Sequence, residues 1–155
     1  MVNEQRVRVT LRPSGDDDSG RIMEWRNEAD AVRFSVTGRP VTAAEHEGWF
    51  AAQREDPKIH LWIAEEEGSA VGQVRVEISA ETGTVSITVA AGHRGRGVGP
   101  AMLRAVLAEV ADERLVERLR ALVHPDNIAS LRAFERAGFR RRLDLVAGFV
   151  VLEWP

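Results

Sequence analysis

Residues 92–99 read Gly-His-Arg-Gly-Arg-Gly-Val-Gly, and the chain changes character across them. Upstream, Val85, Ile87 and Val89 alternate with Ser86 and Thr88, the period of a strand. Downstream, Val98, Met102, Val106 and Val110, with Leu103 and Leu107, recur at helical spacing. A glycine-rich turn between a strand and a helix is a natural anion site. The first helical N–H groups lack partners there, and the positive end of the helix dipole faces the ligand. Gly95, Gly97 and Gly99 remove side chains, so a phosphate can approach the main chain closely. Arg94 and Arg96 add charge that suits a diphosphate. A Walker A loop requires a lysine after its last glycine, and Val98 follows Gly97 here. A Rossmann fingerprint requires G-x-G-x-x-G within a βαβ unit, whereas this turn is G-x-G-x-G and follows what reads as an antiparallel meander.

A second segment, His124-Pro125-Asp126-Asn127-Ile128-Ala129-Ser130-Leu131-Arg132-Ala133-Phe134-Glu135-Arg136-Ala137-Gly138-Phe139, opens a helix with an Asn and closes it with a Gly-Phe pair. The run Arg94-x-x-Gly97-x-Gly99 after a strand ending in Val89 resembles motif A of the GNAT family of N-acetyltransferases, which bind acyl-CoA. The 124–139 segment resembles motif B of the same family, at a matching separation. Glu24-Trp25-Arg26-Asn27 and His46-Glu47-Gly48-Trp49-Phe50 resemble the branch that contains the ribosomal-protein N-terminal and the amino-sugar acetyltransferases. The resemblance covers nearly the whole chain.

The resemblance implies acetyl-CoA as cofactor, bound where two neighbouring strands, 85–89 and 119–123, splay apart. Main-chain groups of Ile87 and Val89 would pair with the pantetheine arm in the manner of an added strand. Arg94, Gly95, Arg96, Gly97, Val98 and Gly99 would hold the diphosphate. Asn127, Ser130 and Phe134 would line the same wall. The implied chemistry is direct acyl transfer from the thioester to a primary amine, with main-chain N–H near Val89 stabilising the oxyanion. The family's motif-B tyrosine is Phe134 here, and the chain has no tyrosine at all. The strand positions that often supply a glutamate base are Thr84 and Leu122. The remaining catalytic candidates are Ser86, through a held water, together with His124 and Ser130; Glu77 and His93 are further titratable neighbours. Acceptor-binding candidates are Trp25, Arg26, Asn27, Trp49 and Arg75, where arginine suits a phosphate or carboxylate.

The elements that must position these residues follow from patterning. Arg6–Leu11 alternates as a first strand, and Asp16–Ser19 offers N-caps for a helix through Arg26. Thr42 and Glu45 have capping-box spacing for a helix through Trp49 and Phe50. Residues 59–64, 71–78 and 85–89 read as a meander with short turns. A helix follows the glycine-rich turn, with Pro100 in its first turn. Residues 119–123 form a short strand, 127–137 a helix, and 139–145 and 149–154 two final strands. The expected fold is α/β (α+β mixed): a mixed, mostly antiparallel sheet of six to seven strands, helices on both faces and one splayed pair. At 155 residues a single domain, 1–155, is expected.

Composition narrows the function further. There is no cysteine, which excludes disulfides, thiolate metal sites and a Cys-acyl intermediate. The formal net charge of −3 gives no basic excess for nucleic acid, and Arg140-Arg141-Arg142 reads as a solvated strand end. Of 21 basic residues only Lys58 is lysine. No apolar run is long enough to span a bilayer, and Met1–Thr10 lacks the apolar stretch of a signal peptide. The expectation is a cytoplasmic enzyme with a small-molecule amine or amino-sugar acceptor and no nucleic-acid or membrane partner. A protein N-terminus as acceptor, or a non-catalytic acyl-CoA-binding module, are the alternatives. The apolar final strand would either pair with a second subunit, giving a homodimer, or complete the sheet.

Overall fold

A computed structural model describes residues 6–155. The elements are β1 (Thr10–Pro13), α1 (Ser19–Arg26), α2 (Ala29–Arg33), α3 (Ala43–Glu55), β2 (Ile59–Glu66), β3 (Ser69–Ser79), β4 (Thr82–Val89), α4 (Val98–Asp112), β5 (Arg118–Val123), α5 (Ile128–Arg136), β6 (Arg140–Val146) and β7 (Phe149–Trp154). The seven strands make one sheet in the order β1-β2-β3-β4-β5-β7-β6. Tight turns leave β2, β3 and β4 as neighbours in an antiparallel meander. Between β4 and β5 runs α4, and this crossover makes the pair parallel.

Strand alternation sends the sheet's apolar side chains to both faces. On β2, Trp62 and Ala64 join a core with Val74, Val76, Met102, Leu103, Val106, Leu131 and Phe134, under α4 and α5. Leu61 and Ile63 point the other way and join Ile22, Trp25 and Phe50, under α1 and α3. Helices therefore cover both faces.

The ends of the helices follow local chemistry. Thr42 Oγ1 accepts from Glu45 N–H at 3.2 Å while the Glu45 carboxylate accepts from Thr42 N–H, so α3 opens on a complete capping box. At the close of α5, Phe139 N–H bonds to the Phe134 carbonyl and Gly138 N–H to that of Glu135. This is the paired-bond helix stop, and the Phe134 and Phe139 rings meet edge-on at 5.0 Å beside it.

Several expectations need correction. Residues 6–9 are not strand: the ladder with β2 begins only at Thr10, opposite Glu65, and the Val7 carbonyl accepts instead from Arg104 at 3.3 Å. Val7 and Val9 pack on the core nonetheless. Asp18 precedes α1 without capping it. Its carboxylate instead accepts from Gly15 N–H at 2.7 Å and from both Arg12 amino groups at 2.8 and 2.9 Å. The short helix α2 was not expected. The final strand β7 lies inside the sheet between β5 and β6, so it completes the sheet, and β6 is the edge strand at that end.

Candidate active site

The β4–β5 ladder contains only three pairs, Thr82↔Arg118, Gly83↔Leu119 and Thr84↔Arg120. Beyond them the strands part. β5 keeps β7 on its other edge as far as Val123, and β4 keeps β3 as far as Val89. Ala90 N–H bonds back to Val71 on β3, so by alternation the main-chain groups of Val85, Ile87 and Val89 face the opening. An open cleft of about 950 Å³ occupies this opening.

The glycine-rich turn forms one end of the cleft. Gly95 and Gly97 have φ of +76° and +85°, in the left-handed region where a side chain is strained, and Gly97 is the residue before α4. The N–H groups of Gly95 through Gly99 donate to no described residue, and Gly95, Gly97, Val98, Gly99 and Pro100 line the cleft. This is a bare main-chain cradle on a helix N-terminus, which fits a diphosphate.

The two arginines of the turn do not supply free charge. Arg94 donates to Glu28 at 2.8 Å, to Asp30 at 3.4 Å and to the Val89 carbonyl at 3.1 Å. Arg96 pairs with Glu66 at 3.0 Å and donates to His93 Nδ1 at 2.9 Å, and it does not line the cleft. The unassigned cationic residues are on α5. Arg132 and Arg136 line the cleft with Ala129 and Ala133, and the spacing i, i+3, i+4 and i+7 is the sequence signal for that helix face. Neither arginine has an ion-pair partner among the described residues.

Of the other cofactor candidates, Ile87, Val89, Asn127, Ser130 and Phe134 all line the cleft. Asn127 Oδ1 caps α5 by accepting from Ser130 N–H at 3.3 Å. Phe134 is buried in the core and presents only its edge of the wall.

His124 follows β5 at the mouth of the cleft. Its ring lies tilted against Phe34 at 5.4 Å and meets Phe149 edge-on at 5.8 Å. Asp126 N–H, which can only donate, approaches His124 Nδ1 at 3.1 Å. Nδ1 is therefore the acceptor, which leaves Nε2 as the hydrogen-bearing nitrogen of the ring. Ser86 is exposed on β4 opposite Arg75 of β3 and lines the cleft.

The acceptor candidates divide. Arg26, Trp49 and Arg75 line the cleft. Trp25 does not: it is 7% exposed and sits in the core with Ile22, Phe50 and Ile63. Asn27 does not either. Its side chain accepts from Val41 N–H at 2.8 Å and donates to the Val41 carbonyl at 2.9 Å, closing the 28–40 loop. That loop supplies Asp30, Phe34, Val36 and Thr37 to the cleft, so Asn27 positions the wall without touching its contents. Gln73 and Phe34 are wall residues that sequence spacing could not reveal.

Known proteins resolve the family. Residues 8–140 match the acetyltransferase (GNAT) domain. The chain belongs to the GNAT acetyltransferases. It is accordingly an acetyl-CoA-dependent N-acetyltransferase. Among its relatives, the aminoglycoside N(6′)-acetyltransferase type 1 of Klebsiella pneumoniae is 22% identical, over 92% of this chain and 79% of that one. YwnH of Bacillus subtilis, provisionally named a phosphinothricin acetyltransferase, is 30% identical over 84% of this chain and 83% of its own length. The aminoglycoside acetyltransferase AAC(6′)-Ib, solved with paromomycin and acetyl-CoA, shares the fold with a TM-score of 0.82, at 22% identity over 94% of this acetyltransferase and 92% of that chain. None of these three is named for the ribosomal-protein branch to which the 24–27 and 46–50 segments are similar. No helix among the described residues is long and apolar enough to cross a membrane.

Proposed function

We propose that this acetyltransferase acetylates the primary amine of a small molecule, with the donor seated in the β4–β5 opening and the acceptor entering from the α1–α3 side. The observation that carries this reading is the continuity of one cleft. It runs from the main-chain cradle at 95–99, past Val89 and Ser86, to Arg26, Trp49 and Arg75. When bound, acetyl-CoA supplies an activated acyl group that needs no covalent attachment to the protein, in keeping with the absence of cysteine. The cradle N–H groups and the flanking Arg132 and Arg136 bind its phosphates. The gap-facing groups of Ile87 and Val89 orient its arm, and Val89 N–H stabilises charge on the carbonyl oxygen.

His124 Nε2–H donates a hydrogen bond toward the departing sulfur, since Phe134 has no hydroxyl to offer. A thiol with a pKa near 8.5 departs readily as the thiolate, so a hydrogen bond to the sulfur is enough and solvent water supplies the proton. Ser86, exposed on the floor, holds the water that takes the proton from the amine. Ser130 lines the donor wall.

An acidic groove would favour a basic protein N-terminus as acceptor. The wall here carries Arg26 and Arg75 with Phe34 and Trp49, and this arginine and aromatic lining favours a small molecule, amino sugars included. Thiol release from acetyl-CoA, measured across amino sugars, polyamines, aminoglycosides, amino acids and peptides, tests the reading. Release with small amines is expected; release with peptides alone overturns it, as does coenzyme A binding without release in any arm.

A further inference from the structure

The corner where α1 meets β3 holds two polar atoms that nothing in the chain satisfies. Arg26 Nη1 and Gln73 Oε1 are closed to solvent and have no hydrogen-bond partner among the described residues. The other terminus of the guanidinium, Nη2, donates to Thr37 Oγ1 and to the Arg39 carbonyl, each at 3.3 Å. An arginine stays charged throughout the accessible pH range, and an enclosed, unpaired N–H on it is costly.

Arg26 and Gln73 also have a special place in the fold. A second cavity of about 360 Å³ lies behind the cleft, and Arg26, Trp49 and Gln73 line both. These three side chains are the partition between cleft and chamber. The chamber's remaining walls are Ile22, Val41, Glu45 and His46.

The carboxylates nearby are already committed. Glu45 pairs with Arg39 at 3.3 Å and caps α3. The Arg39 hydrogen bond, ahead of those from Thr42, holds its carboxyl below the usual range, so it stays ionised and engaged. Asp30 and Glu28 pair with Arg94. Glu77 pairs with Arg75 at 3.0 Å, and Arg75 Nε donates to Gln53. Every acidic group on this wall has an arginine, while Arg26 retains a free donor.

We propose that the acceptor is an amine that also carries an oxyanion, a carboxylate or a phosphoryl group, received at the partition by the partly exposed Arg26 guanidinium, which turns its unpaired Nη1 outward to meet it. Gln73 Oε1 accepts a hydrogen bond from an N–H or O–H of the same molecule, and Trp49 covers its apolar part. The inference rests on the cleft being the acceptor site. A polycationic amine meets Arg26 and Arg75 with no uncommitted carboxylate and is disfavoured.

The test compares matched acceptors on the wild-type enzyme at saturating acetyl-CoA, read by thiol release. The arms are α-amino acids, their carboxamides, aminoalkylphosphonates, spermidine and kanamycin. An acid or phosphonate is expected to exceed its uncharged or cationic counterpart in kcat/KM by about 10- to 100-fold, the worth of one charge-assisted hydrogen bond. The better of the acid and phosphonate arms identifies the oxyanion. Arg26→Gln is expected to raise KM for the anionic acceptor by a similar factor with KM for acetyl-CoA unchanged. Gln73→Glu should shift preference toward the cationic arms. Equal rates with acid and carboxamide, or a wild-type preference for spermidine or kanamycin, overturn the oxyanion inference and leave acetyl transfer standing. No thiol release in any arm, with acetyl-CoA still bound by calorimetry, overturns the acceptor-site reading and this inference with it.

Discussion

The two ends of the cleft, proposed above for donor and acceptor, are built by different means. The donor end is main chain: five consecutive N–H groups at 95–99 and the free edge of β4 from Val85 onward. The acceptor end is side chain: Arg26, Trp49, Gln73 and Arg75, contributed by α1, α3 and β3. A main-chain site tolerates any side chain that leaves the backbone in shape, so a few glycines record it. A side-chain site is set by residue identity at positions far apart in sequence and can change without disturbing the fold. The common donor and the variable acceptor of such enzymes follow from that division. The two ends meet at Arg94, which joins the donor turn to Glu28 and Asp30 beside α2, while Glu28 also accepts from Ala91 N–H at 3.3 Å.

This contrast can be broken by substitutions on either side. The largest effect is expected for Gly97→Val. A β-branched residue at φ +85° is strained, so the turn must rebuild to accept it and the cradle's N–H groups lose their alignment. Coenzyme A affinity measured by calorimetry should fall by roughly 10³-fold, with acceptor selectivity in the residual activity unchanged. His124→Ala is expected to lower kcat by about 10- to 100-fold at unchanged KM for acetyl-CoA, the worth of one hydrogen bond to a charged group. An unaltered kcat would remove His124 from the chemistry.

Asp18→Asn probes the footing of the acceptor wall. Asp18 is 2% exposed and anchors the start of α1, the helix that ends in Arg26. Its carboxyl lies below the ordinary range, first because Arg12 donates to it, and against the opposing cost of burial. A depressed folded-state pKa means that stability is fully present above the unfolded value near 4 and is lost as pH falls through the folded value. The substitution should cost about 2 kcal/mol at neutral pH in denaturant titrations. It should also flatten the acid limb of the stability profile below about pH 4. Arg94→Ala carries the smallest effect, about tenfold, yet it sharpens the contrast most. KM should rise for donor and acceptor together if Arg94 links the two ends, and only for the donor if it serves the turn alone.

The legibility of the sequence divides along the same line. The glycines at 95, 97 and 99, Asn127 at the start of α5 and Gly138 at its end each mark a main-chain geometry that few residues can adopt, so the donor turn and its helices were readable. Trp25 and Trp49 illustrate the opposite. Both are aromatic residues on helices beside apolar neighbours, and only packing sends the first into the α1–α3 core and the second to the cleft at 37% exposure. Asn27 and Gln73 exchanged roles for the same reason. Asn27 closes a loop through Val41, and Gln73 reaches the cleft because β3 pairs with β4 in a register that points odd-numbered residues to that face.

By itself the sequence determined the alternation of strands and helices, the positions where the backbone must turn, and the anion-binding cradle, because these depend on contacts between residues close along the chain. Only the tertiary structure decided that β7 inserts between β5 and β6, that β4 and β5 part after three pairs, that Arg94 and Arg96 spend their charge on carboxylates, and that Arg26 keeps an unpaired donor. Each of these is a competition among distant partners for the same edge, charge or hydrogen bond, and it is settled only when the chain has brought all the competitors together.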